Sequence, residues 1–329
     1  NSSSSTSLNS SNNDLLKNVL ITIFYSLIVI VSMCGNTIVC KTYLLQSKMK
    51  SSTNILIGML AFNDLLMTIF NIPFTIVDLI LTNWIFGQFF CTVVSFVQAN
   101  CVYVSSFTMA LIALNRWKAI YRIKRPTRGH KLCSEFVLSV VFIWILAFCV
   151  SLPHTIFNEV ITMNTRRFGI VQRCLPVFPS SDRETEKLWQ EILTLETFLT
   201  QYIIPLSLAW IVYVRIGFTI CKQGPVGEVT RAQSQRLTEK KRRRIIMLIL
   251  VVSIFALCWL PLNIYYLIID YNFMNLMESV QFKRFKNQIF LICHWFAMSS
   301  VCYNPFVYCW LNDEFKNEVR KVWNFVKVY

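Results

Sequence analysis

Seven stretches of the chain are apolar almost throughout: 19–40, 55–81, 91–114, 136–152, 198–220, 245–269 and 289–311. About 20 mainly apolar residues cross the hydrocarbon core of a bilayer. Strands there would leave backbone groups unmet by lipid, whereas a helix satisfies its own. The runs therefore predict an all-α membrane protein, a bundle of seven transmembrane helices. The fourth run is the shortest, and Asn63-Asp64 interrupts the second. Composition agrees: 55% of the 329 residues are hydrophobic, 15% are charged, and the mean hydropathy is +0.50. Soluble domains are about a quarter charged.

Basic residues orient the bundle. Of 32 Lys and Arg, 23 fall in 41–54, 116–135, 215–244 and 312–329, which share one side. Basic excess marks the cytoplasmic face, so the N-terminus lies outside. The net charge of +15 is then a signal of orientation, and nucleic acid is excluded as a partner. Residues 1–17 are polar, of low complexity and expected to be disordered. They lack the basic and apolar regions of a cleavable signal. Asn1 and Asn9 open glycosylation sequons. The bundle is assigned to 18–312. Residues 313–329 form an amphipathic eighth helix, with Phe315, Val319, Val322 and Val326 at helical spacing, suited to lie on membrane lipid. Of 12 cysteines, only Cys91 and Cys174 face the oxidising side, which predicts one bridge between them. Around Cys174, β-branched residues flank Arg166–Gly169 and predict a short hairpin.

Ionisable groups within spanning helices are costly and mark function. Here they are Asp64, Arg116, Asp270 and His294. Asp64 reads either as a hydrogen-bond hub or as a sodium ligand. Proline recurs in the apolar runs at Pro73, Pro205, Pro261 and Pro305, with Pro153 just beyond the fourth. It removes an amide donor and frees carbonyls, making hinges.

These residues carry a resemblance. Gly35-Asn36, Asp64, Trp84-Ile85-Phe86-Gly87, the Cys91 and Cys174 pair, Asn115-Arg116-Trp117, Trp144, Pro205 with Tyr213, Phe255, Cys258-Trp259-Leu260-Pro261 and Asn304-Pro305-Phe306-Val307-Tyr308 recur in order on seven spans. The chain resembles a rhodopsin-like G-protein-coupled receptor over nearly its whole length. The resemblance implies a plasma-membrane receptor that binds an extracellular ligand and couples to a heterotrimeric G protein, with arrestin as a further partner. It implies that Asn304 and Pro305 loosen helix seven so that Tyr308 swings toward Tyr213 and Arg116, while helix six pivots at Pro261. It also implies sodium at Asp64, Ser105 and Asn36, although Ser300 and Val301 depart from the family's residues there. Asn115 replaces the usual acid beside Arg116.

The ligand is narrowed by position within the family. Seven residues after Cys91, where amine receptors carry an aspartate, stands Gln98, and Met298 occupies the place of the retinal lysine of opsins. What remains resembles receptors for neuropeptide Y and its invertebrate relatives for neuropeptide F, RYamide and luqin-type peptides. Thr75, Gln98, Gln201, Asp270 and His294 match the pocket for an amidated C-terminus, with Asp270 pairing a peptide arginine. Blander readings pair Gln98 with Gln201, leave His294 as a satisfied interior histidine and make Asp270 a solvated helix end. A tachykinin-like or neuropeptide FF-like receptor, or a largely constitutive one, is the alternative. A transporter would show paired halves, and an enzyme a nucleophile with its base. The sequence has neither.

Overall fold

The structure, a computed structural model, describes residues 2–45, 52–122, 129–165, 169–179, 182–222, 231–271 and 280–328. Seven helical spans long and apolar enough to cross a bilayer are found among them: Leu15–Tyr43, Ser52–Leu81, Gly87–Ile120, Phe136–Ile156, Arg183–Thr219, Arg242–Tyr271 and Phe285–Leu311. The first span lies in α1 (Ser2–Cys40), which ends in a π-helical turn, Lys41–Leu45. This helix takes in the polar tail, for which disorder is expected, as far as Ser2; extending an existing helix is far easier than nucleating one. Asn1 and the Asn9 side chain, the two sequon positions, lie outside the described residues.

Proline sets the breaks. The second span runs through Asn63-Asp64 without interruption as α2 (Ser52–Phe70). It breaks at Asn71, at the expected Pro73, and resumes as α3 (Ile72–Leu81). The third span is α4 (Gly87–Arg122) and the fourth α5 (Gly129–Ser151), followed by one turn, α6 (Pro153–Ile156), begun by Pro153. The fifth span reaches further out than its apolar run. It starts with α7 (Arg183–Thr197), passes through a π-helical segment, Phe198–Ile203, and continues as α8 (Ile204–Lys222). Pro205 has no amide hydrogen, and its ring crowds the carbonyl of Gln201, so the ladder widens there. Asp182 caps α7 by accepting from Thr185 N at 2.9 Å, a bond that holds its carboxyl below the usual carboxylate range. The sixth and seventh spans are α9 (Arg231–Tyr271) and α10 (Val280–Leu311), with Pro261 and Pro305 inside them. The eighth helix, α11 (Asp313–Val328), buries Phe315 against Tyr43 and leaves Lys316, Arg320 and Lys321 exposed.

The expected hairpin forms as β1 (Asn158–Thr165) and β2 (Gly169–Pro176), antiparallel with Val160 opposite Cys174. Its turn, 166–168, lies outside the described residues. Gln88 fastens β1, accepting from Val160 N and donating to Asn158 O, both at 2.8 Å. Asn83 accepts from Gln172 N at 2.7 Å, and Arg173 pairs with Asp78 at 3.7 Å. Cys91 and Cys174 are bridged, tying the hairpin to the outer end of α4.

Lipid gives apolar helices little reason to prefer one another, so packing and interhelical hydrogen bonds hold the bundle. Asn36 donates to Val301 O at 2.8 Å, joining the first span to the seventh. Asn63 donates to Cys101 O and Ser105 Oγ, joining the second to the third. Gly35 permits the closest approach. A Cβ there would stand 2.7 Å from Pro305 Cγ and 2.9 Å from its Cβ. A proline ring cannot fold aside, so Gly35→Ala overpacks the joint, at a typical cost of about 1–3 kcal/mol. We expect a lower melting temperature in detergent than for the native protein. An unchanged melt would mean that the first span slides away from the seventh at no cost.

Candidate functional site

A cavity of about 660 Å³ opens outward among the outer halves of the third to seventh spans, with Cys174, Leu175 and Pro176 of β2 at its edge. That is within the usual range for a ligand site. Its walls are mainly apolar and aromatic, including Phe198, Tyr265, Tyr266 and Phe290. Of the expected polar side chains three line it: Gln98 on α4, Gln201 in the π-helical segment and Asp270 on α9.

The two glutamines do not pair with each other. Gln98 Oε1 accepts from Asn71 Nδ2 at 2.7 Å, which leaves its amide N–H groups without a protein partner among the described residues. Gln201 donates to Ala99 O at 3.4 Å. Asp270 is no solvated helix end. It is only 8% exposed, and it accepts from Gln190 Nε2 at 2.7 Å and from Thr194 Oγ1. Both donors come from α7, the outward extension of the fifth span. Lys286 of α10 lines the same cavity.

Two expected members are elsewhere. Thr75, half-buried on α3, does not line the cavity. His294 stands one turn inward of the wall residue Phe290, buried, with Nδ1 2.8 Å from the hydroxyl of Tyr25. At this point α10 faces α1, so the histidine joins two helices and is not open to a ligand in the cavity.

Beneath lies a cavity of about 20 Å³, lined by Asp64, Ser105, Ser300 and Asn304 among others. Asn304 donates to Asp64 Oδ2 at 2.9 Å. Asn36 does not line it: its Nδ2 donates to Val301 O and Ser32 Oγ, and its Oδ1 is buried without a partner among the described residues. The volume suits about one water-sized species, and hard cations take oxygen ligands. Asp64, Ser105 and Ser300 supply oxygens of that kind to the cavity wall, and Asn36 of the expected set lies outside the lining. Trp259 is common to both cavities. It packs on Phe255 and donates from Nε1 to Ser300 Oγ at 3.2 Å, two residues before the hinge at Pro261.

At the cytoplasmic end Tyr213 and Tyr308 are buried. Tyr308 packs edge-on to Tyr43 and Phe315, its hydroxyl without a hydrogen-bond partner among the described residues. Among the described residues neither Asn115 Nδ2 nor Arg116 Nε has a partner either. The charge that acts on Arg116 from the sixth span is that of Arg244, of the same sign.

Residues 35–308 match the family model of the seven-transmembrane receptors of the rhodopsin family. The chain belongs to that family, the class A G-protein-coupled receptors. It is accordingly a multi-pass plasma-membrane receptor with an extracellular N-terminus, not an enzyme, and it transmits the binding of an extracellular ligand to a G protein.

Several cavity residues escape a reading by apolar runs. Gln190, Thr194 and Thr197 lie before the fifth run, and His154, which hydrogen-bonds Glu196 behind the wall, lies just past the fourth. The sign that was available is a pair of ionisable residues, His154 and Glu196, each within two residues of an apolar run.

Proposed function

We propose that the ligand is an amidated neuropeptide with an arginine near its C-terminus, of the neuropeptide Y, neuropeptide F or RYamide kind. The observation that carries this reading is the buried Asp270 carboxylate in the wall of the outer cavity. A carboxylate offers about four acceptor positions, and Gln190 and Thr194 occupy two. The free pair suits the two-pronged donor face of a guanidinium. The free N–H groups of Gln98 suit the carbonyl of a terminal carboxamide. The test is activation of cells expressing the receptor by synthetic peptides ending in Arg-Phe-amide or Arg-Tyr-amide, with the Asp270 dependence argued in the Discussion.

In the mechanism we propose, ligand in the outer cavity presses on Trp259, whose bond to Ser300 couples the sixth span to the seventh. Helix six then pivots at Pro261, and Tyr308 leaves Tyr43 and Phe315 for the neighbourhood of Arg116 and Tyr213. A small cation between Asp64, Ser105 and Ser300 would favour the resting arrangement. The resting state is weakly held at its inner end, because Arg116 has no acid beside it and Arg244 repels it. Basal signalling is therefore expected. Asn115→Asp supplies a charged acceptor next to Arg116, and charge-assisted bonds are about twice as strong as neutral ones. It should lower ligand-free G-protein activation severalfold and leave peptide affinity nearly unchanged. A native receptor silent without ligand, or a mutant with unaltered basal activity, overturns this account.

A further inference from the structure

The cytoplasmic ends of the third and sixth spans bring donors together without acceptors. Arg116 is half-buried one turn from the inner end of the third span, and its enclosed Nε has no partner among the described residues. Nδ2 of the adjacent Asn115 is enclosed and unpartnered as well. Arg244, exposed near the start of the sixth span, stands close enough for its charge to act on Arg116. Among the described side chains on this side, two acids are available to offset these like charges, and both are otherwise placed. Glu318 pairs with Lys321 at 2.6 Å on α11. Glu239 is exposed and lies five positions before Arg244, about 140° away around the same helix.

A buried donor left without an acceptor forfeits the bonds that water would have given it, and guanidinium groups at short range repel. One anion removes both penalties. Arginine carries only donors, so an acceptor from outside the chain is what the pair lacks. Charge and place narrow the anion. A carboxylate brings a single charge, whereas a phosphomonoester brings about two and has three terminal oxygens, enough to meet two guanidinium forks at once. Arg242 and Arg243, also exposed, make a run of three arginines with Arg244 at the first residues of the sixth span. Lys240 and Lys241 extend that run in the sequence. A basic cluster at the cytoplasmic end of a spanning helix stands at the level where the inner leaflet presents anionic headgroups.

We infer that Arg116 and Arg244 bind a phosphomonoester between them, carried by the headgroup of a polyphosphorylated inositol lipid of the inner leaflet. The phosphate stands in for the acid that Asn115 replaces beside Arg116, and it joins the third span to the sixth in the resting arrangement. The site does not depend on the identity of the extracellular ligand, and no peptide enters its test. The bland alternative is a diffuse field, in which the arginines of the sixth span attract any anionic surface by their summed charge. The two differ in what they ask of single residues. A diffuse field loses about as much from one arginine as from its neighbour, whereas a gripped phosphate loses most from the residues that grip it.

The probe is a short-chain fluorescent phosphatidylinositol bisphosphate, titrated by anisotropy into purified receptor in neutral detergent, with no ligand or G protein present. Arg244→Gln removes a charge-assisted pair and should weaken binding about tenfold to a hundredfold. Arg243→Gln removes the same charge one position away and should cost about fivefold at most. Asn115→Asp sets a carboxylate beside Arg116 that competes with the phosphate, so it too should weaken binding about tenfold. Equal losses in Arg243→Gln and Arg244→Gln overturn the inference in favour of the diffuse field. Binding indifferent to Asn115→Asp overturns it as well, because the phosphate then does not reach Arg116. So does a native receptor that fails to bind the probe. Soluble competitors distinguish the sources of the phosphate. Displacement by inositol trisphosphate but not by inorganic phosphate at the same concentration supports the headgroup, and equal displacement by both overturns the lipid as the source. Should Arg244→Gln fail to fold, the comparison of Asn115→Asp with Arg243→Gln decides: a loss in the first no larger than in the second overturns the site.

Discussion

Cys91→Ser and Cys174→Ser should each abolish high-affinity ligand binding, and the double mutant should be no worse than either. The bridge closes a sequence separation of 83 residues, and removing a native disulfide typically costs about 2–5 kcal/mol. Position matters more than the global cost. Cys91 is fully buried in a small cluster with Trp84 and Val94, against which Phe74, Phe86 and Val160 pack. Cys174 itself borders the outer cavity. The hairpin has other fastenings, two hydrogen bonds at Gln88, one at Asn83 and an ion pair at Asp78, but these are polar contacts at the partly water-exposed edge and worth little there. Without the bridge, β2 is free to leave the cavity edge, and the cavity loses part of its wall before any ligand arrives. Non-additivity of the two single mutants is the signature of one shared bond. Surface counting by an N-terminal tag separates loss of delivery from loss of binding. Tight binding by either single mutant at the cell surface, or a reactive thiol at Cys174 in functional receptor, overturns the argument.

The spans were legible because lipid imposes one demand, a long apolar helix, and that demand is written in composition. The bridge was legible because orientation left only two cysteines on the oxidising side. The points that failed share a physical cause. Apolar length says where lipid ends, not where a helix ends, so the run beginning at residue 198 hid α7 and with it the donors Gln190 and Thr194. The break in the second span, by contrast, falls at Pro73 as expected, because polar side chains facing a bundle interior do not interrupt a helical ladder, whereas a missing N–H does. His294 has the right height for a ligand contact and the wrong direction. Which way a helix turns about its axis is set by its neighbours, here by the hydroxyl of Tyr25, some 270 residues away in sequence. The Gln98 contact with Asn71 depended likewise on a neighbouring helix.

Asp270→Ala should weaken an Arg-containing amidated peptide by at least about 30-fold. The carboxylate is already withdrawn from water and held by Gln190 and Thr194, so it meets a guanidinium without reorganising, in surroundings that screen the pair poorly. Truncating one partner of such a desolvated pair costs about 2–5 kcal/mol, or roughly 30-fold to several-thousand-fold in affinity. The same burial complicates the mutation, because alanine also strands the Gln190 and Thr194 donors. Part of the loss will therefore appear with any peptide. A double-mutant cycle removes that part. The second limb is the same peptide with its arginine replaced by citrulline, which keeps the shape and several donors but not the charge. Asp270→Asn, which leaves one oxygen to accept from Gln190 or Thr194, guards against a collapsed wall. Lys286 shares the cavity and competes for the carboxylate when no ligand is bound. Lys286→Met should therefore strengthen the arginine peptide modestly and leave the citrulline peptide unmoved. The decisive quantity is the coupling between Asp270 and the peptide arginine. A coupling of tenfold or more places the guanidinium on this carboxylate. Strictly additive losses would mean that Asp270 serves only to tie α7 to the sixth span, and the arginine must then be read elsewhere or not at all.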